Sequence, residues 1–275
     1  MKIILSRKGF DSSAGGHANP IYPDGRMFSL PIPSSLDTIN YDDLLAPMGK
    51  SVKNVIDELD DGATILGKGA HADPELIQGQ RPRKNGWRHS LGQISQASGH
   101  LRNQDVGAGD LFLFYGWFRH TKLENGRLKF RKDLPGYHAI HGYLEIDEVI
   151  AANERASLPV WLLDHPHAVD ARLAKPTNAI YVARKHSEKL KNFAGAGVFQ
   201  FRDKLVLTKP SLTRSRWGLD PEIFRHLEIT YHTDAAWRDG YFQSYPRAQE
   251  YVIHANNQAV DWAYDLIRYS ETWDL

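Results

Sequence analysis

Residues 106 to 150, VGAGDLFLFYGWFRHTKLENGRLKFRKDLPGYHAIHGYLEIDEVI, are the stretch whose reading decides the fold. Gly107 and the pair Gly109-Asp110 supply turn residues, and Leu111 to Phe118 follow as an apolar and aromatic run rich in strand formers and too short to cross a membrane. A buried strand is predicted there. Asn125-Gly126 lies between two segments that alternate apolar and charged residues, the setting of a tight hairpin turn. Beyond Pro135-Gly136, His138, Ile140, Gly142, Leu144 and Ile146 occupy every second position and therefore share one face of a further strand. The stretch reads as an antiparallel meander with a solvent-facing hairpin.

A Gly-Asp turn into an apolar strand, followed by a strand carrying Ile-x-Gly, is similar to the small barrels of the PUA, ASCH and EVE group. That resemblance implies a PUA-like barrel element and binding of RNA or modified bases, and by itself names no reaction.

Outside this stretch the composition narrows the classes. The 275 residues include no cysteine, which excludes thiol nucleophiles, cysteine zinc sites and disulfide frameworks and fits a reducing, cytoplasmic compartment. Any metal would have to sit on His, Asp or Glu. Lys and Arg number 34 against 33 Asp and Glu, a net charge of +1, so no global field draws the chain to polyanions and nucleic-acid contacts must come from local patches. The opening MKIILSRKGF is too short an apolar segment for a signal peptide, and no run of eighteen apolar residues occurs, so a protein with no membrane partner is expected.

Several polar clusters are candidates for chemistry. After a first strand over residues 2 to 6 comes a glycine-rich loop with Arg7, Asp11, Ser12, Gly15 and Gly16. Its backbone N–H groups can face an anion, with Asp11 as acid, base or ligand; alternatively, its Asp and Ser side chains bond their own backbone. His71 and Asp73, two apart, point the same way in extended chain and make a His-carboxylate couple or a metal pair. The other reading makes Asp73 the N-cap of a helix starting at Pro74, as Asp220-Pro221-Glu222 also suggests. The loop around Arg88 and the segment Arg214-Ser215-Arg216-Trp217 combine guanidinium and indole groups suited to phosphate and base contacts, or else to wet arginines around an indole that plugs the core. His165 and His167 form a His-x-His pair, a possible metal ligand set that needs a third member from elsewhere.

The remaining elements read as helices over residues 52 to 59, 91 to 101 and 255 to 269, a short helix over 188 to 192, strands at 63 to 66 and 178 to 183, and a hairpin over 198 to 208 turning at Arg202-Asp203-Lys204. No repeat, linker or composition break divides the chain. The expectation is an α+β fold, a mixed or antiparallel sheet with flanking helices, forming one compact unit over residues 1 to 275.

Taken in order, SRKGFDSSAGG, PDGRMFSLPIP, GAHADPEL, GDLFLFYGWFR, LDHPH, NAIYVA and SRW resemble the nucleotide modification-associated domain 3 family of bacteria and their phages. The resemblance spans nearly the whole chain and implies a part in modifying bases or nucleotides. It assigns no reaction, cofactor or catalytic residue. Three readings follow. The first is an enzyme acting on a base or nucleotide, with Asp11, His71 and Asp73 catalytic and Arg7, Ser12, Gly15, Gly16, Arg88, Arg214 and Trp217 holding phosphate or nucleic acid. The second is a PUA-like reader of modified bases without turnover. The third is a metal-dependent phosphoesterase using His71, Asp73, His165 and His167.

Overall fold

The computed structural model describes residues 1–60, 65, 67–245 and 248–275. The strands that build the main sheet and the site are β1 (Lys2–Arg7), β2 (Asn19–Ile21), β3 (Ile32–Ser34), β4 (Gly69–His71), β5 (Ser90–Gln93), β6 (Leu111–Glu124), β7 (Arg127–Phe130), β8 (Tyr137–Ala151), β9 (Ala179–Ala183), β10 (Ala196–Phe199), β11 (Glu250–His254) and β12 (Thr272–Trp273). The helices are α1 (Val52–Asp60), α2 (Ser95–Asn103), the single turns α3 (Asp170–Leu173) and α4 (Pro221–Phe224), and α5 (Asn257–Arg268).

The main sheet has ten strands with the central order β11-β1-β6-β8-β9-β5. β1 runs parallel to β6, with Ile3 opposite Leu111, and the other pairs along this path are antiparallel. This is the expected α+β arrangement with a mixed sheet. The sheet stays open, ending on β11 and β5, and no barrel closes among the described residues.

The run Leu111–Tyr115 is continuously apolar because both faces of β6 are covered. Leu111, Leu113 and Tyr115 pack with Ile3, Leu5 and the α5 residues Ala259, Ala263, Leu266 and Ile267. Phe112 and Phe114 belong to the other core, with Ile4, Leu144 and the α1 residues Val52, Val55 and Ile56. The i, i+3, i+4 spacing of those three α1 residues is the stripe that the sequence predicts. α5 begins where Asn256 accepts a hydrogen bond from the Ala259 N–H at 2.9 Å. A third, smaller cluster, Leu158, Leu162, Ala168 and Leu173 against Ile180 and Val182, seats residues 152–173 on the β9 end of the sheet.

Four local expectations change. The predicted meander is one long hairpin: β7 and β8 form successive parts of the return strand along β6, with the Arg131 N–H bonded to the His120 carbonyl between them. The helix over 91 to 101 is shared between β5 and α2, since Ser90 to Gln93 pair with β9. Residues 188 to 192 form bends and a turn rather than a helix. Residues 198 to 208 form no hairpin, because β10 pairs instead with β8 and β12, while Val206 bridges to Ala139. The strand expected at 63 to 66 lies, except for Ile65, outside the described residues.

Candidate functional site

Asp73 sits at the centre. It follows β4, whose partner β3 fixes His71 opposite Ile32. No helix starts at Pro74: Glu75 bridges to Ser90 in extended conformation, and Asp73 Oδ1 accepts the Gly92 N–H at 2.9 Å. Asp220 instead does what such a sequence allows, capping α4 by accepting the Glu222 N–H at 2.9 Å. The two Asp-Pro-Glu segments differ because the first is held between strands.

Three histidines surround the Asp73 carboxylate. His165 Nε2 lies 3.4 Å from Oδ1, and the Nε2 atoms of His71 and His167 each lie 3.9 Å from Oδ2. Burial alone would raise the Asp73 pKa. The imidazoles of His165, His167 and His71 outweigh it and hold the carboxyl well below its ordinary range. Burial pushes His167 the other way, down to about 3, so that ring is neutral at physiological pH.

The outer partners fix which nitrogen of each ring faces the carboxylate. His71 Nδ1 lies 3.1 Å from Asp37 Oδ2, an acceptor, so Nδ1 is the donor and Nε2 is the nitrogen left facing Asp73 without a hydrogen-bond partner. Asn178 donates its amide to the carbonyls of Ala152 and His167, so its Oδ1, 2.8 Å from His167 Nδ1, is the acceptor and His167 Nε2 is likewise bare. His165 is reversed: its Nδ1 accepts the His167 backbone N–H at 3.0 Å, which puts its proton on Nε2, toward Asp73. Asp37 is in turn clamped by Arg172, at 2.8 and 2.6 Å, and Arg172 also donates to the Pro166 carbonyl. Although burial opposes ionisation, the bonds from Arg172 and His71 hold Asp37 well below the usual carboxylate range.

Close packing requires a glycine at 92. A Cβ there would lie 2.2 Å from carbons of the His167 ring, so the ring lies flat against β5 only because the position is bare.

The cluster opens into a cavity of about 290 Å³, lined among others by Arg7, Lys8, Asp11, His71, Asp73, Gln93, His167 and Arg172. Sequence segments around residues 7–14, 71–73, 92–97 and 167–172 thus meet at one hollow. Behind Lys8 and Gln93 of the lining, buried Glu250 accepts from Ser6 Oγ, from Lys8 Nζ at 3.0 Å and from the Gln93 amide.

The glycine-rich loop behaves differently from an anion cradle. Asp11 Oδ1 accepts from the Ser13 N–H and hydroxyl, each at 2.7 Å, and from the Ala14 N–H at 2.8 Å, while the Gly16 N–H bonds the Asp11 carbonyl. Those backbone groups are spent within the loop. Gly15, at φ +88°, lies against the Phe10 ring where a Cβ would collide, and Ser12 is exposed and does not line the cavity. Asp11 Oδ2 remains 3.7 Å from Arg7 Nε at the cavity edge. Replacing Asp11 by Ala is expected to cost about 1–3 kcal/mol in urea unfolding, and by Asn, which keeps the accepting oxygen, a small fraction of that. Equal costs for the two variants would mean that the turn does not depend on Oδ1.

The other candidates lie elsewhere. Arg88 pairs with Asp147 and with Glu148 and bonds the Ala183 carbonyl, so its charge is balanced within the fold. Its neighbours Arg81 and Arg83 both converge on buried Glu75, which also accepts from the Trp87 indole. Trp217 cannot stack a base: it is fully buried, and its indole donates to His138 and to the Arg214 carbonyl. Arg214 lies on the Trp117 ring, 3.7 Å from its centroid, outside the cavity lining. The sequence signal for indole plus guanidinium marked a core plug.

A family model for nucleotide modification associated domain 3 matches residues 2–254. The chain belongs to the nucleotide modification associated domain 3 family. No curated protein and no solved structure matches it. The family span contains every residue of the Asp73 cluster and of the cavity, whereas β12 lies beyond it. Membership associates the chain with nucleotide modification, and no helix among the described residues is long and apolar enough to cross a membrane.

Of the residues that build the site, Asp37 and Arg172 went unmarked in the sequence, whereas Gly92 and Gln93 stood in the segment read as a helix over 91 to 101 and Asn178 in the strand read over 178 to 183.

Proposed function

We propose that the chain is an enzyme acting on a nucleobase or nucleotide within the Asp73 cavity, with His71, Asp73 and His167 as its reacting groups. The observation that carries this is the burial of an ionised carboxylate among three imidazoles at the wall of an open hollow. Strongly shifted titratable groups gathered in a cleft favour chemistry over recognition alone. At about 290 Å³ the hollow is at the small end of ligand pockets, in keeping with one base or nucleotide rather than a longer ligand.

The neighbouring groove supports a base presented from a strand. It shares Ile94, Ala97 and Gln249 with the cavity and carries His100, Tyr231 and Tyr245, of which the two tyrosines are 55% and 46% exposed. An exposed aromatic pair beside a hollow suits stacking of flanking nucleotides while one base turns inward. Nucleosides from a host expressing the protein, digested and read by mass spectrometry, should contain a modified species that disappears with Asp73→Asn. Tyr231→Ala with Tyr245→Ala should weaken single-strand binding by about 1–3 kcal/mol per stacked base. Identical nucleoside profiles with and without the wild-type protein, together with selective binding of modified over plain nucleic acid, would replace the enzyme by a reader.

A further inference from the structure

We propose that His71 Nε2, His167 Nε2 and Asp73 Oδ2 bind one divalent first-row transition-metal ion at the wall of the cavity. The inference concerns the hollow of the proposed function but does not depend on its substrate, so the two can fail separately.

One ligand atom from each of His71, Asp73 and His167 lies within 4.8 Å of the other two, and both Nε2 atoms are 3.9 Å from Asp73 Oδ2. Cis ligands on an ion with bonds of about 2.1 Å stand roughly 3.0–3.4 Å apart, so an ion would draw each side chain inward by only about an ångström. Proximity alone would not make a site. What points to a cation is the orientation imposed from outside: a carboxylate, Asp37, and an amide oxygen, Asn178, each accept a hydrogen bond from Nδ1, leaving both Nε2 atoms turned toward one carboxylate oxygen. Imidazole ligands of metal ions are held in this way, and at 3.9 Å from Asp73 Oδ2 neither Nε2 atom has a hydrogen-bond partner. The other carboxylate oxygen is fixed by the Gly92 N–H, which leaves Oδ2 as the donor.

His165 is excluded as a ligand despite its proximity. Its Nδ1 lone pair is used by the His167 N–H, so the nitrogen 3.4 Å from Asp73 Oδ1 carries a proton and cannot ligate an ion. Two imidazoles and one carboxylate occupy three positions on one side of an ion, with the remaining positions open toward the cavity, where water or a substrate atom would complete the coordination. This nitrogen-rich set selects Zn(II), Fe(II), Co(II) or Mn(II) over Mg(II), which prefers oxygen ligands.

The test uses the full chain, stripped with chelator and titrated calorimetrically with Zn(II) and, under argon, Fe(II), with bound metal counted by mass spectrometry. About one ion per chain is expected, with Co(II) giving the visible absorption of a nitrogen-ligated ion and Mg(II) binding at least about 100-fold more weakly. His71→Ala and His167→Ala should abolish stoichiometric binding, Asn178→Ala should weaken it by about 10–100-fold, and His165→Gln should leave it within a few-fold. Wild-type protein that takes up no Zn(II), Fe(II), Co(II) or Mn(II) at micromolar free ion overturns the proposal, whatever the folding of the variants. So does uptake that His71→Ala and His167→Ala, confirmed folded by circular dichroism, leave unchanged.

Discussion

Replacing Arg172 by Ala is expected to destabilise the fold by about 3–5 kcal/mol, one of the two largest effects foreseen here. The residue is 4% exposed, and its guanidinium makes both bonds to Asp37 while also holding the Pro166 carbonyl. Without it, Asp37 is left as a buried carboxylate whose remaining partner is largely the His71 ring. Much of the cost is that stranded charge, so Arg172→Leu combined with Asp37→Leu should be milder than Arg172→Ala alone. Urea unfolding of the single and double variants measures both. A single-variant cost under about 1 kcal/mol would show that the pair is not what keeps Asp37 ionised in the interior.

The second large effect is expected from a single methyl group. Gly92→Ala places a Cβ where His167 ring carbons now lie, 2.2 Å away, and the ring must leave its position beside Asp73. Overpacking of this kind costs about 1–3 kcal/mol in stability. Displacing a reacting group by about an ångström costs on the order of 100-fold in rate. The variant should therefore remain folded and lose base modification almost entirely, as read by nucleoside mass spectrometry beside a circular dichroism spectrum. Retained modification would mean that the His167 ring is not part of the reacting set.

Sequence periodicity identified the elements whose burial is local and regular. The stripe Val52, Val55, Ile56 found α1, the alternation from His138 to Ile146 found β8, and the Asn125-Gly126 turn found the hairpin. Pairing was less legible. Leu91 belongs to a strand because β9 takes it as a neighbour, and Val198 pairs with Gly142 and Trp273 rather than with the residues that follow it, facts of contact that no local pattern encodes. At the site, the spacing of His71 with Asp73 and of His165 with His167 marked four side chains that do meet. The sequence could not reveal that His165 faces Asp73 with a proton and His167 with a lone pair, because that difference arises from a backbone N–H and from Asn178. Arg88 and Trp217 misled for one reason: a short basic or aromatic cluster reads the same whether its partners are phosphates and bases or Asp147, Glu148 and the core.

The third apolar cluster seats residues 152–173 on the end of the sheet, and that segment supplies His165 and His167 to the Asp73 carboxylate and Arg172 to Asp37, both carried by other parts of the chain. One of the three reacting groups, His167, therefore travels with a peripheral flap held to the body by the third apolar cluster, the Arg172–Asp37 pair and the Asn178 amide. Whatever loosens that flap dismantles the chemistry before the body of the protein melts, and a ligand gripped from both sides works as a rivet between them.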